Sequence, residues 1–274
     1  MNVALSGNLR LVCAGHPERG TWLAEQSFAA PIHLSKSYWD GHTLLVNVVN
    51  QTAGIFGGDT ITANVVVEPG ASVLLSSPSA ARFHPSGGRE ARLEQSFEIR
   101  SGGFLDVYPE LSIPQEDSRS RQQTRIEIEP GGELIYLETL APGRVASGEI
   151  FAFARYAWSA DVHLAGRLIH RERAAISPRD SSISPLRALH PSDYYAGMLV
   201  ISPIAEKWDA DFSHAIAQIG VTGASKTGAS RLPGGGWSIR ILAADSRTIR
   251  HAIALARTEI YQRLGRPLPD LRRT

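Results

Sequence analysis

A single cysteine, Cys13, is present among 274 residues. That excludes an intramolecular disulfide framework and fits a reducing compartment. No run approaches the ~18 consecutive apolar residues that a membrane-spanning helix needs. The opening MNVALSGNLRLVCAG lacks the basic start and unbroken apolar stretch of a secretion signal. Charge of one sign is equally scarce: 28 basic against 27 acidic side chains leave a net charge of +1. A nucleic-acid footprint needs a concentrated basic face, which this balance does not provide. The expectation is a cytoplasmic protein without nucleic-acid or membrane partners.

Catalytic signatures are missing as well. There is no HExxH, CxxC or GxSxG, and no GxGxxG follows a strand-like run. Gly223–Ser230 (GASKTGAS) comes nearest to a phosphate loop, but Ala229 stands where a Walker loop needs lysine. Nine histidines (His16, His33, His42, His84, His163, His170, His190, His214 and His251) are scattered, with none spaced to bring two imidazoles to one metal.

What the chain does contain is short alternating apolar runs broken by glycine. Thr43–Val49 is rich in β-branched residues, Thr60–Glu68 places Ile61, Ala63, Val65 and Val67 on one face, and Pro69-Gly70 separates it from Ala71–Ser76. One phrase recurs: SFEIRSGGFLDVY from Ser96, TRIEIEPGGELIYL from Thr124 and a looser YAWSADVHLAGRLIH from Tyr156. Recurrence at about thirty residues predicts stacked supersecondary units, each unable to bury its apolar face alone. The fold class expected is mainly β, layered or β-helical and solenoid-like, with two or so helices in the C-terminal third; an ordinary antiparallel sandwich would give a similar pattern. Asp211–Ile219 reads as a short helix opened by Asp209 or Asp211 and closed by Gly220. A longer one, capped by Asp245 or Ser246, runs to Leu264 with the stripe Ile249, Ile253, Ala256, Ile260 and Leu264, and Gly265 and Pro267 mark its stop. Met198–Ile201 and Trp237–Ala243 read as strands, and Pro178–Ser184 and Gly223–Gly236 as loops. Nothing divides two domains, so residues 1–274 are expected to form one, with about 190–274 packed on the β scaffold.

Ala53–Ile61 (AGIFGGDTI) sets Gly57 and Gly58 directly before Asp59. Paired glycines give backbone freedom, and the aspartate could point into a cavity. It could equally cap its own tight turn.

The order of motifs resembles the UreD (also called UreH) urease accessory family along nearly the whole chain. Asn47–Ile61 resembles its turn followed by Gly-Gly-Asp, and Ser76–Phe83 (SSPSAARF) its threonine-rich segment, with Arg82 where the family usually has lysine. Leu105–Pro114, containing Pro109 and Glu110, is similar to its "LEYLPEPLIP" stretch; Glu138, Gly143-Arg144 and Gly148-Glu149 match its "E-x-L-x-x-GR-x-A-x-GE-x-F" run. The resemblance implies a non-enzymatic β-helical scaffold without a permanent cofactor. It implies partners too: apo-urease, and a UreF-type protein that recruits a UreG-type GTPase. Transient Ni2+ would move through an internal passage. Weak successive oxygen ligands suit such transit, since a tight His/Cys cage would trap the ion. Asp59, Glu138 and Glu172 are the candidate passage carboxylates, with Arg82 setting the local field. Arg171 and Arg173 could instead make Glu172 a plain salt bridge, and Glu149 is expected to be a structural hydrogen-bonding residue. Two other readings remain open. One is a purely structural interaction module; the other is a hydrolase using Asp59, Glu110 and Glu138 as paired carboxylates.

Overall fold

The computed structural model describes residues 4–85, 87–179, 193–220 and 225–271. The chain opens with β1 (Ser6–His16), β2 (Gly20–Ala29), β3 (Ile32–Leu34) and β4 (Tyr38–Asp40), then begins to coil. Each coil visits three sheets in turn. The first is β5 (Thr43–Asn50), β6 (Ile55–Phe56) and β7 (Thr60–Val67); the second is β8 (Ser72–Ser76), β9 (Ala81–His84) and β10 (Ala91–Ile99). The third is β11 (Phe104–Tyr108), β12 (Ser112–Pro114) and β13 (Arg119–Ile128). A fourth runs from β14 (Glu133–Leu140) through a one-turn 3-10 helix at Val145–Ser147 to β15 (Arg155–Leu164). Then follow β16 (Arg167–Ile176), β17 (Tyr194–Ile201), α1 (Ala210–Ile219), β18 (Ser225–Arg231), β19 (Trp237–Ala243) and α2 (Ser246–Leu264).

Three sheets result. One has seven strands in the order β16-β15-β13-β10-β7-β1-β2. The second has the nine-membered order β18-β19-β17-β14-β11-β8-β5-β3, with β4 also on β5, and the third is β12-β9-β6. The solenoid reading is borne out, because successive coils pair in parallel. Leu11, Val65, Phe97, Ile126 and Val162 therefore stand side by side across the seven-stranded sheet. Opposite them run Leu44, Val73, Leu105, Leu134 and Ile201. These two rows interdigitate as the inner core. The repeated glycines form the corner between the two sheets: Gly70, Gly102 and Gly131 take φ of +74°, +72° and +85°, a region that glycine enters without steric cost.

The nine-stranded sheet is apolar on its other face as well. Ile135, Val200, Trp237 and Ile239 meet the α2 stripe of Ile249, Ile253, Ala256 and Ile260 in a second core. Both helices start where their caps predict: the Asp209 carboxylate accepts from Asp211 N, and that of Asp245 from Arg247 N and Thr248 N. Gly265 ends α2 in the left-handed conformation. One sequence expectation fails. Ser225–Arg231 is an edge strand antiparallel to β19, although its glycine-, serine- and lysine-containing run reads as a loop; positions 223–224, 180–184 and His190 lie outside the described residues. No described helix is long and apolar enough to cross a membrane.

Candidate functional site

Between the two large sheets, at the end away from the glycine corner, the core does not close. A cavity of about 310 Å³ lies there, walled by Ile61 and Ala63 of β7, Leu75 and Ser76 of β8, and Tyr136–Thr139 of β14. Glu138 is its acidic centre. The side chain is only 8% exposed, and its Oε2 accepts hydrogen bonds from Gln122 Nε2 at 2.7 Å and the Tyr136 hydroxyl at 2.8 Å. Gln122 arrives from β13 of the facing sheet, so the pair ties the two walls together. Thr124 and Gln95 continue the polar row beside it. Burial first, and then the charge of Glu172, push the Glu138 carboxyl up to about 8, against the hydrogen bond from Tyr136 that favours ionisation. Arg82, Pro109 and Glu110 line the same cavity. Arg82 is exposed and makes no ion pair among the described residues, whereas Glu110 is held by Arg250 of α2 at 2.9 Å.

Asp59 and Glu172 do not wall this cavity. Asp59 is 2% exposed, and its two oxygens accept from Leu5 N and Phe56 N, each at 2.8 Å. Its backbone N–H closes the turn onto Phe56 O, while Gly57 N and Gly58 N bond to His84 O and Glu90 O. Gly58 adopts φ +99°. The Gly-Gly-Asp motif is thus a capped turn that pins β7 to its neighbours, the second of the two roles its sequence permits. The expectation that this carboxylate opens into a cavity is corrected, because two backbone donors consume it.

Glu172 faces inward from β16. Trp158 Nε1 (3.1 Å), the Tyr195 hydroxyl (3.0 Å) and Arg240 Nη2 (2.7 Å) all donate to it, and His170 Nε2 lies 3.6 Å away. Burial opposes its ionisation, but the contact with His170, the Arg240 charge and the Trp158 and Tyr195 hydrogen bonds outweigh it and hold the carboxyl at about 2. The flanking Arg171 and Arg173 turn the other way, both onto Asp161, as strand alternation requires. Gly143, Arg144, Gly148 and Glu149 form a loop of their own. The Arg144 guanidinium grips the Glu149 carboxylate, which also accepts from Glu116 N at 3.1 Å. Gly143 has φ +138°, and a Cβ there would meet Glu149 O at 2.7 Å.

The hydrolytic pairing finds no support in this geometry. Both Asp59 oxygens accept backbone donors away from the cavity, and Glu110 is paired through Oε2 with Arg250, which leaves Glu138 as the cavity carboxyl without a cationic partner among the described residues. Among those residues no three His, Cys, Asp or Glu side chains gather as a metal cluster. The Cys13 thiol is buried, which pushes it up to about 12.

Sequence reasoning missed a second buried charge centre. Asp106 is fully buried on the outer face of β11, where Arg257 Nη2 and the Tyr261 hydroxyl converge on its Oδ2. The Arg257 guanidinium lies 4.0 Å from the Tyr108 ring centroid. A signal was available: Arg257 and Tyr261 are one helical turn apart, and Asp106 interrupts an otherwise apolar strand.

Comparison with known proteins agrees with this architecture. The family model described as UreD urease accessory protein matches residues 5–273. A urease accessory protein UreD of Opitutus terrae is 35% identical over 271 residues, covering 98% of each chain. That of Deinococcus radiodurans is 39% identical over 155 residues, 56% of this chain and 55% of its own. One from Yersinia enterocolitica is 28% identical over 286 residues, 98% of this chain and 86% of its own. With a parallel β-solenoid backed by two helices and a family match over almost its full length, the chain belongs to the UreD urease accessory protein family.

Proposed function

We propose that this chain is a catalytically inert cytoplasmic scaffold for nickel insertion into apo-urease. It would stand between apo-urease and a UreF-type protein that recruits a UreG-type GTPase, with residues 1–274 acting as one unit. Ni2+ would be cargo, passing through the cavity between the two large sheets. Family membership supports the urease connection; the observation that carries the passage is the cavity between the two sheets, open at one end, with the buried Glu138 carboxyl on its wall. A lone carboxyl group that must release its proton to coordinate, beside the Gln122 amide and the Tyr136 hydroxyl, binds a borderline divalent ion weakly. Weak binding favours transfer over storage. Arg82 at the same wall would disfavour accumulation of cations, and Glu172, coupled to Glu138 by charge, would favour their approach.

The test is co-expression with urease and the partner proteins, scoring nickel per urease active site and urease activity. Glu138→Ala is expected to lower both several-fold while apo-urease still co-purifies with the scaffold. Full nickel loading with Glu138→Ala would refute the passage. Full loading without the chain would refute the whole reading.

A further inference from the structure

The outer face of the seven-stranded sheet carries charges that the described residues leave unmatched. The parallel register sets Arg119 directly beside Arg155 and Arg121 directly beside Ala157. Paired residues in neighbouring strands point to the same face, so the exposed Arg119 and Arg121 and the half-buried Arg155 lie together on the outer face. Arg92 stands beside Arg121 on the next strand. One carboxylate, Glu90, serves both Arg92 (3.7 Å) and Arg121 (3.1 Å), and one, Asp161, serves both Arg171 and Arg173. Arg119 and Arg155 reach no carboxylate among the described residues. The acids next to Arg119 in sequence are engaged elsewhere: Asp117 pairs with Arg179, and Glu116 faces Arg144. Like charges at paired strand positions repel, and no carboxylate among the described residues offsets this pair.

Shape accompanies the charge. Ala157, Ser159 and Ala175 are short side chains on adjacent rungs of β15 and β16. They floor a shallow trough of about 350 Å³ whose walls include Arg121, Arg155 and Arg173. From this arrangement we infer that the trough across β13, β15 and β16 docks an extended acidic segment of a protein partner, with Arg155 on its wall and Arg119, Arg155's partner across the ladder just beyond the trough, as the principal contacts. Guanidinium forks match carboxylates bidentately, and the small floor lets an extended chain lie close to the sheet. The whole molecule is nearly neutral; the attraction comes from where the strands put the arginines. This inference is independent of the nickel passage.

The experiment uses the full chain and a fluorescein-labelled octaglutamate peptide followed by anisotropy. Binding is expected to weaken at least about tenfold in Arg119→Gln/Arg155→Gln and to weaken between about 50 mM and about 200 mM salt. The exposed Arg19→Gln/Lys36→Gln pair, remote from the trough, should leave it unchanged. Arg155→Gln alone, with an unchanged melting temperature, serves if the double variant misfolds; it should still weaken binding several-fold. Absent binding to the natural chain, or equal binding to the variants, overturns the inference. Tighter binding of a single-stranded oligodeoxynucleotide of equal length overturns it in favour of nucleic acid.

Discussion

Replacing Glu138 by glutamine tests the electrostatics of the cavity without changing its shape. In the unfolded chain the carboxyl titrates at an ordinary value near 4.5; in the folded protein burial holds its proton until about 8. The folded state therefore binds an extra proton between those limits. Its stabilisation relative to the unfolded chain is complete below pH 4.5, and it declines as pH rises through 8. A tenfold change in proton affinity corresponds to about 1.4 kcal/mol, so the total loss is on the order of 5 kcal/mol, spread at about 1.4 kcal/mol per pH unit. The groups facing Glu138 are Tyr136, Tyr156, Tyr195 and Glu172. The tyrosines are all held well above the ordinary phenol range by burial and Glu172 is held at about 2, so none of them changes charge between pH 5.5 and 7.5. Urea unfolding of both proteins across that interval should show Glu138→Gln gaining roughly 3 kcal/mol on the natural chain. Parallel stability profiles from pH 5 to 9 would refute the reasoning, because they would mean that the cavity solvates the carboxylate as water does.

Two further outcomes follow from the other buried charges. Arg257→Met should destabilise by about 3–5 kcal/mol in urea unfolding, since it leaves Asp106 charged and enclosed; Asp106→Leu/Arg257→Met should recover most of the loss. Glu172 has the opposite linkage to Glu138: its contribution is present above pH 4.5 and is lost as pH falls through about 2. Glu172→Gln should therefore lower stability at neutral pH and flatten the acid-unfolding limb seen by circular dichroism between pH 4.5 and 2.

The repeat was legible in the sequence because each coil must solve the same problem. SFEIRSGGF and TRIEIEPGGEL occupy equivalent rungs, so alternation and the glycine corner recur together. Both helices were legible from Asp209, Asp245 and Gly265, whose effects are local. The strand Ser225–Arg231 was not, because a polar edge strand owes its conformation to hydrogen bonding with β19, which local propensity does not encode. Glu138 was identified by its motif, yet its holders Gln122 and Tyr136 come from alternation across two facing sheets, which one strand's pattern cannot reveal. Asp106 was missed for a related reason: in LDVY it occupies the rung a solvent-facing residue would take, and the helix that covers it lies some 150 positions later.

Three central strands of the nine-stranded sheet, β11, β14 and β17, have no outdoor side. They carry apolar side chains on one surface for the solenoid and on the other for the helices. Shedding α2 would strip Ile135, Val200 and Ile239 of their cover and leave Asp106 without its counterion, so detachment of the helical layer is coupled to loss of the sheet itself. A party wall of this kind cannot be demolished from one house alone, and the helices and the coils should melt in a single transition.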